Sequence, residues 1–98
     1  MSHDGYRYRF ASHVPFEDVE ASLLLAFWAA ESLYGEARVR LECGHALDVT
    51  KRTCMIDAGS EVGRDVNKLF LGFLRREFGP GCFRVEPVNA AEKAPAFA

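Results

Sequence analysis

The stretch ARVRLECGHALDVTKRTCMIDA, residues 37–58, decides how this chain folds. Its second half reads as a hairpin: DVTKR (48–52) supplies a polar connection into a strand at TCMIDA (53–58). If Asp48 faces Thr53, Leu47 pairs with Cys54 and His45 with Ile56. The apolar side chains of both strands then share one face, which supports that register, because a slip of one residue turns every side chain over. Upstream of Leu47 the alternation continues. Cys43, Leu41 and Val39 fall on one side and Glu42, Arg40 and Arg38 on the other, which predicts a strand over 37–47.

On the N-terminal side, Tyr6, Tyr8 and Phe10 alternate with Arg7 and Arg9, as in a half-buried strand. Pro15 then suits the first turn of a helix, and Glu17, Asp18 and Glu20 place negative charge at its N-terminus. That helix is expected from Pro15 to Tyr34, with Gly35 as its stop. On the C-terminal side, Gly59-Ser60 opens a second helix over 60–78, ended by Gly79-Pro80-Gly81. Its inward positions are Val62, Val66, Leu69, Phe70 and Phe73. A last short strand covers 83–86 and ends at Pro87.

The order is β-α-β-β-α-β. It implies an α+β domain of the ferredoxin-like, split βαβ kind, with an antiparallel sheet and two helices on one face. Residues 1–88 form one domain, and the small, polar and Pro-containing residues 89–98 read as a disordered tail. A fold of this kind hosts many chemistries and names none of them. Signatures used on it elsewhere are missing here: the loop SHVPFED (12–18) has neither a CxxC nor a Gly-rich run with an Arg, and TCMIDA has no aromatic residue for stacking bases.

Composition narrows the classes further. A net charge of −2 argues neither for nor against a polyanionic partner. Cys43, Cys54 and Cys82 are an odd set without CxxC spacing, as expected of reduced thiols. The N-terminal MSHDGYRYRF lacks an apolar leader core. The longest uncharged run, residues 21–30, is far short of the roughly 20 apolar residues that span a bilayer. The expectation is a cytoplasmic protein with no membrane contact.

The run LLLAFWAA (23–30) poses the functional question. At about 100° per residue, Phe16, Val19, Leu23, Phe27, Ala30 and Tyr34 form the inward arc of the first helix. Leu24, Leu25 and Trp28 fall outside it. Exposed apolar clusters mark interaction sites, and Trp is enriched at their centres. These three residues are therefore the candidate partner interface, most simply of a homodimer; the alternatives are Trp28 lying against the second helix, or a groove for a small ligand. The two helices also differ in charge. Glu17, Asp18, Glu20 and Glu31 lie on the first, and Arg64, Lys68 and Arg75 share the outer arc of the second. These charges are expected to flank the groove between the helices, within the chain or across a dimer, or simply to be solvated.

The open sheet face supplies a second candidate surface. Arg7, Arg9, Arg38, Arg40 and Arg84 are expected there, interspersed with Glu42, Asp57 and Glu86. Arginines in such an array can hold phosphates or carboxylates bidentately, or can simply pair with the acids. An acidic protein partner, a sheet-to-sheet dimer or nucleic acid would fit this face. Catalytic and cofactor signatures are absent, so a non-catalytic role is favoured and no cofactor is implied. His13 and His45 are the acid–base candidates if the chain is instead a small enzyme of the dimeric α+β-barrel type. Cys43 and His45 at i, i+2, with Cys54 on the neighbouring strand, lack a fourth ligand for zinc and read as core.

Overall fold

The computed structural model describes residues 5–88. The described residues form an α+β domain: an open four-stranded antiparallel sheet and three α-helices. Its elements are β1 (Gly5–Phe10), α1 (Phe16–Tyr34), α2 (Glu36–Glu42), β2 (His45–Asp48), β3 (Thr53–Asp57), α3 (Glu61–Phe78) and β4 (Phe83–Val88), with a 3-10 turn at Pro80–Cys82 before β4. The strand order across the sheet is β2-β3-β1-β4.

The hairpin register is the one the apolar pattern dictates: His45 faces Ile56, Leu47 faces Cys54 and Asp48 faces Thr53. Helices α1 and α3 lie side by side over the sheet face that carries Tyr8, Phe10, Cys54 and Ile56. Between the layers the Tyr8 ring meets Phe70 edge-on at 4.9 Å, and Phe10 meets Phe16 at 6.0 Å. The Tyr8 hydroxyl donates to the Asn67 side chain at 2.5 Å, which satisfies the polar end of a buried ring. Val62, Val66 and Phe70 are fully buried as their spacing predicts, and Leu74 joins them, while Leu69 and Phe73 are only half-buried.

The boundaries of the long helices follow their caps. Ser60 caps α3, its hydroxyl accepting from the Gly63 N–H at 3.0 Å and donating to the Glu42 carbonyl at 2.8 Å. Helices α1 and α3 both end at a glycine with positive φ, Gly35 at 86° and Gly79 at 81°. The last strand runs past Pro87 to Val88, which is possible because β4 is an edge strand. The expected tail, 89–98, lies outside the described residues.

The main correction concerns residues 37–47. The expected long strand is a seven-residue helix, α2, followed by a strand of only four residues. Two periods compete in this segment. A strand places Val39, Leu41 and Cys43 together, whereas a helix needs only Val39 and Cys43, at i, i+4, to point inward. Val39 and Cys43 are buried and Leu41 is 85% exposed, so the helical period wins. Local chemistry favours it as well. Ala37, Arg38, Arg40, Leu41 and Glu42 are strong helix formers, and two i, i+4 ion pairs form, Arg38–Glu42 at 2.8 Å and Arg40–Glu36 at 3.6 Å.

Candidate functional site

On α1, Phe16, Val19, Leu23, Ala26 and Ala30 are buried against the sheet and α3. Leu24, Leu25 and Trp28 are 45%, 50% and 55% exposed. Leu24 and Trp28 line a groove of about 990 Å³ bounded by α1, α2 and β2. Leu25 is not among its walls. The apolar surface of the groove comes from Leu23, Phe27, Val39, Cys43 and Leu47 together with Leu24 and Trp28. Its charged residues are mostly acidic: Glu17, Glu20 and Glu31 from α1, Glu36 from α2, and a single cation, Arg40. Leu33, on the last turns of α1, is 74% exposed and was missed by the three-residue reading.

Helix α2 makes the groove possible. A strand over 37–47 would supply no helical wall beside α1, whereas α2 contributes Glu36, Val39 and Arg40 to the groove lining. His45 stands at the start of β2 in the same lining, its ring 4.8 Å from that of Phe27. Although the residue as a whole is exposed, partial desolvation of the ring holds its imidazole below the usual histidine pKa, against a smaller opposing effect of a backbone hydrogen bond at Cys43.

Cys43 and His45 do not form the i, i+2 pair that a continuous strand would give. Cys43 is the C-cap of α2 and buried, and Cys54 is buried in the core between β2 and β1. Burial pushes both thiols up to about 12, helped by the Asp57 carboxylate at Cys43 and by Cys43 itself at Cys54. Thiols so poised are protonated and inert at neutral pH. Among the described residues, no group of three or more His, Cys, Asp or Glu is placed to hold a metal ion.

The arginine array on the sheet is smaller than expected. Arg38 and Arg40 lie on α2, not on the sheet, because residues 36–42 are helical. Arg38 pairs with Glu42 and sits over the Tyr34 ring, 4.9 Å from its centroid, and Arg40 pairs with Glu36. Of the three that remain, Arg7 and Arg9 both donate to Glu86, at 3.0 and 3.2 Å. Those two hydrogen bonds hold the Glu86 carboxyl below the usual carboxylate range. Arg84 stands opposite Arg9 across the β1–β4 ladder and makes no ion pair among the described residues.

Two arrangements at the far end of the sheet had no local signal in the sequence. Cys82, half-buried, has its Sγ 3.6 Å from His13 Nε2 and 3.0 Å from the Phe78 carbonyl. The Arg52 guanidinium donates to the Ala11 carbonyl at 3.0 Å and to that of Val14, fastening the loop between β1 and α1 to the hairpin turn. Each joins residues about 40 or more positions apart, so only the folded topology brings them together.

No helix among the described residues is long and apolar enough to cross a membrane. The sequence matches no family model, and no curated protein or solved structure matches it either.

Proposed function

We propose that this protein is a small, non-catalytic binding and assembly module that self-associates through the exposed face of α1. The observation that carries the reading is the strip formed by Leu24 and Trp28 along the α1–α2 groove, with Leu25 beside it, each about half exposed. Three large apolar side chains within five positions keep a contiguous surface in water, and covering it with a second copy removes that cost. The α+β scaffold we read as ferredoxin-like; the strand order β2-β3-β1-β4, with α1 and α3 packed side by side, supports this, and α2 is an addition to the six-element pattern.

Light scattering across a concentration series tests the proposal. The wild-type chain is expected to show a dimer mass at tens of micromolar, and Trp28→Glu to return it to the monomer mass. A wild-type monomer at those concentrations overturns it. Binding of anions on the sheet is the second reading, favoured by Arg84, which has no acidic partner among the described residues. It is a smaller surface than five arginines would give, because Glu86 occupies Arg7 and Arg9. Salt-sensitive binding of single-stranded nucleic acid, lost in Arg84→Ala, is its signature.

A further inference from the structure

Among the described residues, the ion pairs leave the unmatched charges of the two long helices largely sorted by sign, acids on α1 and cations on α3. Arg7, Arg9, Arg38 and Arg40 all have carboxylate partners within the chain. On α1, Glu17, Asp18, Glu20 and Glu31 have none among the described residues, and that helix carries no Lys or Arg. On α3, Arg64, Lys68, Arg75 and Arg76 are exposed and equally unpaired. The acids of α3 do not pair with them: Glu61 lies 3.8 Å from Arg38, Asp65 accepts from the Tyr34 hydroxyl, and Glu77, in the last turn with Arg75 and Arg76, makes no ion pair among the described residues. The molecule thus presents an acidic helix bearing an apolar strip beside a basic helix, both on the helical layer that covers one face of the sheet.

We infer that the occupant of the α1 face is α3 of a second copy. The arrangement is isologous. Each protomer lays its acidic, Trp28-bearing α1 on its partner's basic α3, so one two-fold axis satisfies both contacts at once. Charge complementarity commits the surface to a second copy, because the chain itself carries the opposite charge on α3, which packs beside α1 in the same layer. Parallel stacking of like helices, α1 on α1, would instead bring Glu17, Glu20 and Glu31 of both protomers together, which costs free energy. The inference rests on the self-association proposed above and specifies which surfaces meet.

A charge-swap experiment separates the two claims. One variant carries Arg64→Glu and Lys68→Glu, and the other Glu20→Lys and Glu31→Lys. All four positions lie outside the core cluster and make no ion pair among the described residues, so both variants are expected to keep the wild-type circular dichroism spectrum. Each alone places like charges across both contacts and is expected to dimerise at least tenfold more weakly than wild type by sedimentation velocity. Mixed in equal amounts, they restore opposite charges at both contacts and are expected to form the heterodimer. If either variant dimerises like wild type, or the mixture stays monomeric, the α1–α3 arrangement is wrong. If that happens while Trp28→Glu still abolishes the dimer, self-association through α1 stands and only its partner surface is overturned. If wild type is itself monomeric, both readings fall.

Discussion

Gly63 and Gly72 occupy the same helix, and replacing each by alanine should change stability in opposite directions. At Gly72 an added Cβ meets nothing within 4 Å. The substitution there gains only alanine's better helix propensity, about 0.8–1 kcal/mol. At Gly63 the same Cβ would stand 2.2 Å from the backbone carbonyl oxygen of Asp57, at the end of β3. Ordinary contact begins near 3.4 Å, so the first turn of α3 must retreat by about 1.2 Å. The obstacle is backbone, and no side-chain rotation relieves it.

That retreat also pulls on the Ser60 cap, whose hydroxyl holds the Gly63 N–H and the Glu42 carbonyl. Overpacking costs about 1–3 kcal/mol, and a weakened cap about 1 more. Set against the propensity gain, the net loss is about 2 kcal/mol. For a domain of this size, 1 kcal/mol moves Tm by roughly 4–8 °C. Gly63→Ala is therefore expected to melt roughly 10 °C lower, and Gly72→Ala about 5 °C higher, than the parent. Thermal unfolding followed by far-ultraviolet circular dichroism measures both shifts, and urea unfolding gives the free-energy changes, with an unchanged slope against denaturant as the control. Both changes are made in the Trp28→Glu background, so that self-association enters neither comparison. A Gly63→Ala protein as stable as its parent would refute the close approach of α3 to β3.

Two further outcomes follow from the titratable groups. Under native conditions a thiol reagent should modify Cys82 first, because Cys43 and Cys54 are buried and their thiols are pushed up to about 12; mass spectrometry of peptides from briefly alkylated protein locates the label, and early labelling of Cys43 or Cys54 contradicts the packing. Partial desolvation of the His45 ring depresses its folded-state pKa, so the unfolded chain takes up its proton first on acidification. Its contribution is present above about pH 6.5 and is lost as pH falls through the lower folded value; a shallower loss of stability below pH 6.5 in His45→Gln is the expected result, and an unchanged slope there removes the argument.

The residues differ in how much of this was legible from sequence. The hairpin register, both long helices and their stops could be read because each rests on local chemistry: an apolar period, a capping Ser60, a terminal Gly35 or Gly79. Segment 37–43 could not, because its apolar residues satisfy a strand and a helix equally until something says where Leu41 goes. Helix propensity and the pairs Arg38–Glu42 and Arg40–Glu36 were present in the sequence and pointed to the helix. A continuous alternation running out of a genuine strand outweighed them. Leu24 and Trp28 were recognisable as unpartnered, but the groove they line was not, since its other wall is the misread segment.

That single local competition also determines which surface of the protein is available for binding. As a strand, 37–47 would have lengthened the sheet and placed Arg38 and Arg40 on its open face, making an arginine-rich surface suited to anions. As a helix, it spends both arginines on carboxylates of its own turn and builds the wall of an acidic, apolar groove beside Trp28. The positive surface then survives mainly on α3, where Arg64, Lys68, Arg75 and Arg76 have no ion-pair partner among the described residues. With the cations on one helix and the acids on its neighbour, the same sequence encodes a complement for each helix, which is the basis of the proposed pairing with a second copy.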